Sequence, residues 1–349
     1  MMRLAGAKTI LVLLIPFFVL LCSCLGVKGQ SPRTTTRQTS PDFTKEHQLL
    51  QQGKYDEAIA ELQNLASEHP DSKGISRELG IAYYKKNDYV QAVHSLQQAL
   101  QEDPQDNEAT QLLGLSYYLS GKPSEAIPYL EKVQTWYPRA NVDASYILGQ
   151  CYIQTKDYRH AREAFAKMFD LPPDSAGAYL LTARMLFRQE FEPVALEYTQ
   201  KAVSLDPKLP LAHALLGEIH LFQSQVQEAI SDFQQELAID PGNASTYYKL
   251  ADAYSRIQKF DEAERLLQRS IWLDSTSTGP YILMGKVLEK KGEPELAIRA
   301  LRRAAAMDPN NSITHHLLGQ AYRDLGNNEA AERELKIASQ LQSVQDSKQ

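Results

Sequence analysis

A single alanine recurs along this 349-residue chain at almost constant spacing, and this periodicity constrains the fold more than any other feature. Successive members lie 34 residues apart, except for one step of 35. A proline follows most of them by twelve residues, and a glycine or alanine precedes most of them by twelve. Self-similarity at this period predicts an array of stacked units. The nine alanines are Ala58, Ala92, Ala126, Ala161, Ala195, Ala229, Ala263, Ala297 and Ala331.

Each unit has the pattern of two helices that pack closely. In the second unit, Leu79, Gly80 and Tyr83 share one helix face, while Ala92 lies on a face of the next helix. Glycine and alanine lack bulk, so the two backbones can approach toward the low end of the usual separation of ~8–10 Å. The recurring prolines cannot continue a helix, so the second helix of each unit ends at the same position of the repeat. Trp136 and Trp272 come late in second helices, where we expect them to pack at unit boundaries.

The pattern resembles the tetratricopeptide repeat, a helix–turn–helix unit of 34 residues, and the resemblance covers residues 39–345. It implies an all-α fold, a right-handed superhelix (an α-solenoid) of about nine repeats, with the first helix of each unit lining the concave side. A polar tail follows at 341–349. The units are expected to start near residues 39, 73, 107, 142, 176, 210, 244, 278 and 312.

The resemblance also indicates which side chains face the concave groove. These positions run from apolar and aromatic in the early units to charged and mainly basic in the late units. Exposed aromatic rings suit the docking of a peptide or helix, and a basic end would attract an acidic segment. Two alternatives stay open: some rings pack against neighbouring units, and the charged end is a solvated surface. The candidate partner-binding residues are Tyr84, Tyr118, Tyr146, Phe187, Phe222, Tyr248, Arg256, Lys286 and Lys290.

Residues 1–29 have the pattern of a targeting segment. Arg3 and Lys8 make a basic start, and Ile10–Leu21 is an unbroken apolar run. Small and weakly polar residues follow this run. This order of basic, apolar and small residues predicts a signal peptide, a lipoprotein signal or an N-terminal membrane anchor.

The three outcomes for this segment leave different mature N-termini. Cleavage before Gln30 would release the chain, whereas a lipobox-like sequence makes Cys24 the candidate for lipidation. The uncharged stretch Ile10–Val27 just suffices to cross a bilayer as an uncleaved anchor. All three place the repeat array outside the cytoplasm. Residues 30–41, rich in Thr, Ser and Pro, are predicted to be a flexible polar linker.

The sequence carries no pattern that predicts catalysis, a cofactor or a metal site. Metalloprotease, paired-cysteine and phosphate-loop motifs are all absent from it. Cys151 precedes a packing tyrosine, and we expect a buried, inert thiol. A formal net charge of −6 excludes a nucleic-acid binder that works by bulk positive charge. The expected partners are therefore other proteins and, through the N-terminus, a membrane.

These observations together predict an extracytoplasmic, membrane-associated scaffold for protein–protein interaction, not an enzyme. By resemblance alone, an assembly factor for an envelope complex is a suitable setting. Two alternatives remain at this point. One is a carrier of a small ligand or glycan in the aromatic groove. The other is a regulatory subunit that activates a catalytic partner.

Overall fold

The computed structural model describes residues 42–136 and 142–346, and these residues form eighteen α-helices and no β-strand. The predicted targeting segment, Cys24 and the predicted linker lie outside the described residues. The all-α repeat fold expected from the periodicity is confirmed. In chain order the helices are α1 (Thr44–Gln51), α2 (Tyr55–Glu68), α3 (Ile75–Lys85), α4 (Tyr89–Glu102), α5 (Asn107–Leu119), α6 (Pro123–Trp136), α7 (Val142–Gln154), α8 (Tyr158–Met168), α9 (Ala176–Arg188), α10 (Glu192–Leu205), α11 (Ala212–Phe222), α12 (Val226–Ile239), α13 (Ala244–Arg256), α14 (Phe260–Leu273), α15 (Thr278–Lys290), α16 (Pro294–Met307), α17 (Ser312–Asp324) and α18 (Asn328–Asp346).

The helices are arranged as consecutive antiparallel pairs within one compact unit, Pro41–Gln349. Each odd-numbered helix, called a first helix below, packs against the even-numbered second helix that follows it. That second helix then packs against the first helix of the next unit. Contacts therefore run between neighbours along the chain, which is the packing expected of a solenoid.

Glycine allows the two helices of a unit to touch, as the sequence predicts. A Cβ atom added at Gly149 would lie 2.4 Å from Cε1 of Phe165, a ring that is only 1% exposed. The same clash would occur at Gly80, Gly217 and Gly285, each against a buried leucine or phenylalanine of the second helix. Because a methyl group has no room there, these glycines set the distance between the helices.

The turn inside each unit is built on one residue in the left-handed backbone conformation. This residue lies five positions before the recurring alanine, and its φ is positive in all nine units, between 60° and 81°. Glycine adopts this conformation without a steric penalty, whereas other residues do so at a cost. Only four units place glycine there. The nine residues are Gly53, Asn87, Gly121, Lys156, Glu190, Ser224, Gln258, Gly292 and Gly326.

A recurring side-chain hydrogen bond joins neighbouring units. The amide of Gln97 in α4 donates to the phenol oxygen of Tyr117 in α5 at 2.7 Å. Equivalent amides in α2 and α12 donate to Tyr83 and Tyr254 at 3.0 and 3.1 Å. These bonds tie the polar end of the packing tyrosine to the preceding unit while its ring stays in the core.

One detail differs from the sequence-based expectations. Trp272 is 72% exposed and does not pack at a unit boundary, because the equivalent residue of every other unit also faces solvent. Helix α18 includes the first residues of the predicted polar tail and continues to Asp346. No glycine or proline interrupts α18, and Gln342 bonds to Asp346 one turn further along.

In the described residues, no helix combines the length and the apolar character that crossing a bilayer requires. Cys151 is fully buried, and burial raises the pKa of its thiol to about 12. A thiol with so high a pKa carries almost no thiolate near neutral pH, which agrees with the expectation of an inert side chain.

Candidate functional site

Most first helices also contact the first helix of the next unit, and together they form an inner row of the repeat array. Besides their contacts with second helices, α3 packs against α5 and α5 against α7, and a second run of such contacts joins α9, α11, α13, α15 and α17. No second helix packs comparably against another second helix in the described part of the chain. The first helices therefore approach each other more closely, so the array curves with them on its inner side. We call the exposed side of this row, which carries the nine candidate residues, the first-helix face.

Two of the predicted tyrosines meet at one cavity on this face. Tyr118 of α5 and Tyr146 of α7 line a space of about 300 Å³ together with Met185 and Arg188 of α9. Tyr146 is 37% exposed. Partial burial raises the pKa of Tyr118, so its hydroxyl stays protonated and can donate a hydrogen bond. Three consecutive units thus contribute to one concave site that combines aromatic surface with hydrogen-bond donors.

Two phenylalanines continue the aromatic surface into the next units. The rings of Phe187 and Phe222 lie 5.9 Å apart in an edge-to-face arrangement with an interplanar angle of 88°. Phe222 remains 60% exposed. An exposed ring held by another ring is pre-positioned for an apolar partner and loses little conformational freedom on binding.

The remaining two aromatic candidates are more enclosed. Tyr84 makes an edge contact with Tyr89 at 5.9 Å, and burial raises its pKa. Tyr248 lies against Gly279 of the next unit: a Cβ atom at that glycine would be 3.3 Å from the tyrosine ring. Both rings therefore combine a packing role with a partly exposed surface.

The three basic candidates lie together at a second cavity. Arg256, Lys286 and Lys290 line a space of about 580 Å³ between α13, α15 and α17. Arg256 donates to the carboxylate of Asp252 at 2.9 Å. The two lysines are exposed and form no ion pair within the described residues. Their charges are therefore available to a ligand at the late end of the face.

Glu289, which is outside the candidate set, also lines this cavity. Its Oε1 atom is buried and has no hydrogen-bond partner in the described residues. Burial, and next the charge of Asp324, raise the pKa of this carboxyl group. The cavity thus offers an acceptor beside three cations. Sequence alone does not reveal this, because it depends on how neighbouring units shield one oxygen.

The repeat pattern also places Ile153 and Lys249 on the groove, and the structure gives the two residues different environments. Ile153 is fully buried in α7, so it contributes to the core and not to the face. Lys249 bonds to the carboxylate of Glu218 in the preceding unit and is therefore neutralised. The repeat register places both residues on first helices but does not show which residues the next unit covers.

Two enclosed histidines are paired with carboxylates within the fold. His220 Nδ1 lies 2.6 Å from Oδ2 of Asp232, and His315 Nδ1 lies 2.6 Å from Oε2 of Glu334. No group of three or more histidine, cysteine or acidic side chains in the described ranges has the arrangement of a metal site. The cavity at Tyr118 and the cavity at Arg256 can therefore bind a ligand through apolar contact, hydrogen bonds and charge.

Family models match much of the array. A model described as tetratricopeptide repeat matches residues 49–115, 223–271 and 288–342. Another, described as anaphase-promoting complex, cyclosome, subunit 3, matches residues 85–168 and 124–192. No curated protein matches the chain.

Several solved structures are similar to the chain. MamA from Desulfovibrio magneticus RS-1 is 20% identical with a TM-score of 0.46, over 50% of this chain and 98% of that one. YrrB, described as a TPR protein with an unusual peptide-binding site, is 24% identical with a TM-score of 0.45, over 52% and 94%. The APC/C hetero-tetramer Cut9–Hcn1 is 21% identical with a TM-score of 0.45, over 79% and 54%.

Proposed function

The chain belongs to the tetratricopeptide repeat family, and on that premise we propose that it is a scaffold that binds another polypeptide along its first-helix face. The observation that carries this proposal is the pair of cavities on the inner row of helices. One is aromatic and formed by three consecutive units, and the other is basic and formed by three later units. A ligand that uses both must extend along several units, as a polypeptide segment does.

The aromatic half suits an apolar side of a helix or extended segment. Tyr146 and Phe222 are exposed, and neighbouring rings hold both in place at about 6 Å. Burying such rings contributes roughly 25 cal/mol per Å² of apolar area removed from water. Binding therefore draws on area that is already positioned, so less entropy is lost on association.

The basic half suits an acidic stretch of the same segment. Lys286 and Lys290, which form no ion pair within the described residues, line the cavity beside Arg256. Because the chain as a whole is acidic, with a formal net charge of −6, this local reversal of sign would orient an acidic partner. The order of the two halves defines the direction in which the segment lies.

The proposal extends to location: the array works outside the cytoplasm, as a membrane-associated factor in the assembly of an envelope complex. Its support is the charged start and uncharged run of residues 1–29. Mass spectrometry of the mature N-terminus tests it. A lipidated Cys24, a start at Gln30, or an intact Arg3 in the membrane fraction each agrees with this location, and recovery of the intact chain only from the cytoplasm contradicts it.

Substitution of two exposed rings tests the binding surface. We expect Tyr146→Ala combined with Phe222→Ala to reduce capture of the partner at least tenfold in pull-downs from native membranes, because hot-spot rings cost about 2 kcal/mol or more each when removed. Circular dichroism should show unchanged helical content. The matched control is Trp272→Ala, which removes a ring that is 72% exposed on the second helix α14.

The control separates this interpretation from its rivals. Equal loss of capture in the control would assign binding to the outer surface. Unchanged capture in the double variant would contradict a role for the aromatic cavity. Saturable binding of a small ligand or glycan at the rings, without a polypeptide partner, would favour the carrier.

A further inference from the structure

Arg162 occupies a position of the repeat that is aliphatic in most other units. It follows the recurring alanine directly, and its side chain is only 9% exposed. Burying an arginine is costly unless its guanidinium group is well supplied with partners. A charged residue at this packing position therefore requires a reason. The aliphatic residues at the same position are Ile59, Val93, Ile127, Leu196, Ile230 and Ile298.

The partners of Arg162 within the protein are few. One terminal nitrogen donates to Oδ1 of Asp174 at 2.6 Å, and the side chain of Asp174 is 84% exposed. The guanidinium carbon lies 4.3 Å from the ring centroid of Tyr179. The Nε atom is buried without a hydrogen-bond partner. The guanidinium group is thus held in place by a ring and one solvent-exposed carboxylate.

Arg162 lines a cavity of about 700 Å³ between α8 and α10, the second helices of two consecutive units. Arg159 and Lys201 bring two more positive charges to its wall, and Glu197 is the one acidic residue that lines it. Lys201 forms no ion pair within the described residues. Arg159 lies 3.5 Å from Glu163, in a pair whose side chains are 66% and 39% exposed.

Two phenol groups of this wall can also donate hydrogen bonds. The rings of Tyr179 and Tyr198 make an edge contact at 5.3 Å, and neither hydroxyl has a hydrogen-bond partner within the described residues. Burial raises the pKa of Tyr198, which keeps its hydroxyl protonated. The exposed carboxylates of Asp174 and Glu163 are weakly held and can be exchanged for a better acceptor.

We propose that this cavity binds a phosphoryl group, either as free phosphate or as the monoester of a small organic molecule. A phosphoryl dianion has several acceptor oxygens, which the two guanidinium groups, the lysine and the tyrosine hydroxyls can contact together. A guanidinium group can donate two parallel hydrogen bonds to such oxygens. The cavity volume lies within the range of small-molecule sites. Only Tyr179 of the residues named comes from a first helix, so this site is separate from the first-helix face and does not depend on the proposed scaffold function.

Isothermal titration calorimetry of the full-length protein at constant ionic strength tests the site. The probes are inorganic phosphate and phenyl phosphate. We expect saturable binding with one site per chain and at least a tenfold loss of affinity in Arg162→Leu. Lys201→Met should weaken binding severalfold without touching the core. Tighter binding of phenyl phosphate identifies the monoester as the ligand class, and equal binding identifies free phosphate.

Matched controls make the result decisive. Lys132→Met changes the exposed lysine at the equivalent position of α6, and we expect unchanged affinity. Arg162→Leu introduces the aliphatic residue type that most other units have at this position, so the variant protein should unfold at a temperature no lower than the wild type. The proposal is overturned if neither probe binds saturably, if Arg162→Leu binds normally, or if Lys132→Met loses as much affinity as Lys201→Met.

Discussion

At five sites, a single missing methyl group lets the helices of a unit touch. At Gly149 the nearest atom to an added methyl group would be a carbon of Phe165, which is enclosed on all sides and cannot move away. This role was predictable, because a glycine that recurs at one position of the repeat is visible in the sequence. Tight contact between backbones is the ordinary physical reason for such a residue.

Adding that methyl group should destabilise the array. We expect Gly149→Ala to lower the free energy of unfolding by about 1–3 kcal/mol, because overpacking exceeds the gain of about 1 kcal/mol in helix propensity. Thermal unfolding followed by circular dichroism measures the effect. The control is Gly177→Ala in α9, where the added Cβ would meet only Leu171 Cδ1 at 3.6 Å. A lower midpoint for the control than for Gly149→Ala would contradict this account.

Other residues of the structure were not predictable from their identity. The sequence predicts that Trp272 packs at a unit boundary, yet the equivalent residue faces solvent in every unit. The repeat pattern places Ile153 on the groove, yet this residue is buried. In both cases the apolar character of the side chain is a weaker guide than its place relative to the next unit.

At the scale of the helix pair, the turn between first and second helices is the recurring device of the fold. All nine turns place one residue at positive φ, although five of these residues are not glycine. The sequence does not reveal this turn position, because the nine units have no common residue type there. The backbone adopts the same turn in each unit because the helix packing on both sides demands it, and the local strain is offset by that packing.

Replacing a strained turn residue with glycine should stabilise the protein. Glu190 has a φ of 65° and is exposed, and it has no ion pair in the described residues. We expect Glu190→Gly to raise the free energy of unfolding by about 0.5–1 kcal/mol, since relief of left-handed strain exceeds the added chain entropy. Urea unfolding measures the change.

The reverse substitution provides the control for the turn. Gly121 has a φ of 76°, and an added Cβ would meet no atom within 4 Å. Gly121→Ala should therefore lower stability through backbone strain alone, by about 1 kcal/mol. If Glu190→Gly and Gly121→Ala both raised or both lowered the free energy of unfolding, side-chain contacts, and not the left-handed backbone, would control stability at this turn position.

At the scale of the whole array, neighbour-to-neighbour packing turns separate helices into one continuous face. The repeat register predicts that the nine candidates lie on first helices, and they do. The grouping of Arg256, Lys286 and Lys290 around one cavity did not, because it depends on how far each unit rotates relative to the last. The donor-rich cavity at Arg162 was also hidden, since it combines second helices from two units.

The central claim is that the first-helix face is the surface that contacts another polypeptide. Site-specific photo-cross-linking in the native cell tests it most directly, with the cross-linking residue placed in turn at Tyr146, Lys290 and Trp272. We expect one polypeptide to be captured from Tyr146 and Lys290, with its attached peptides identified by mass spectrometry, and no capture from Trp272. Capture from Trp272 alone, or no polypeptide captured at either face position, would contradict the claim.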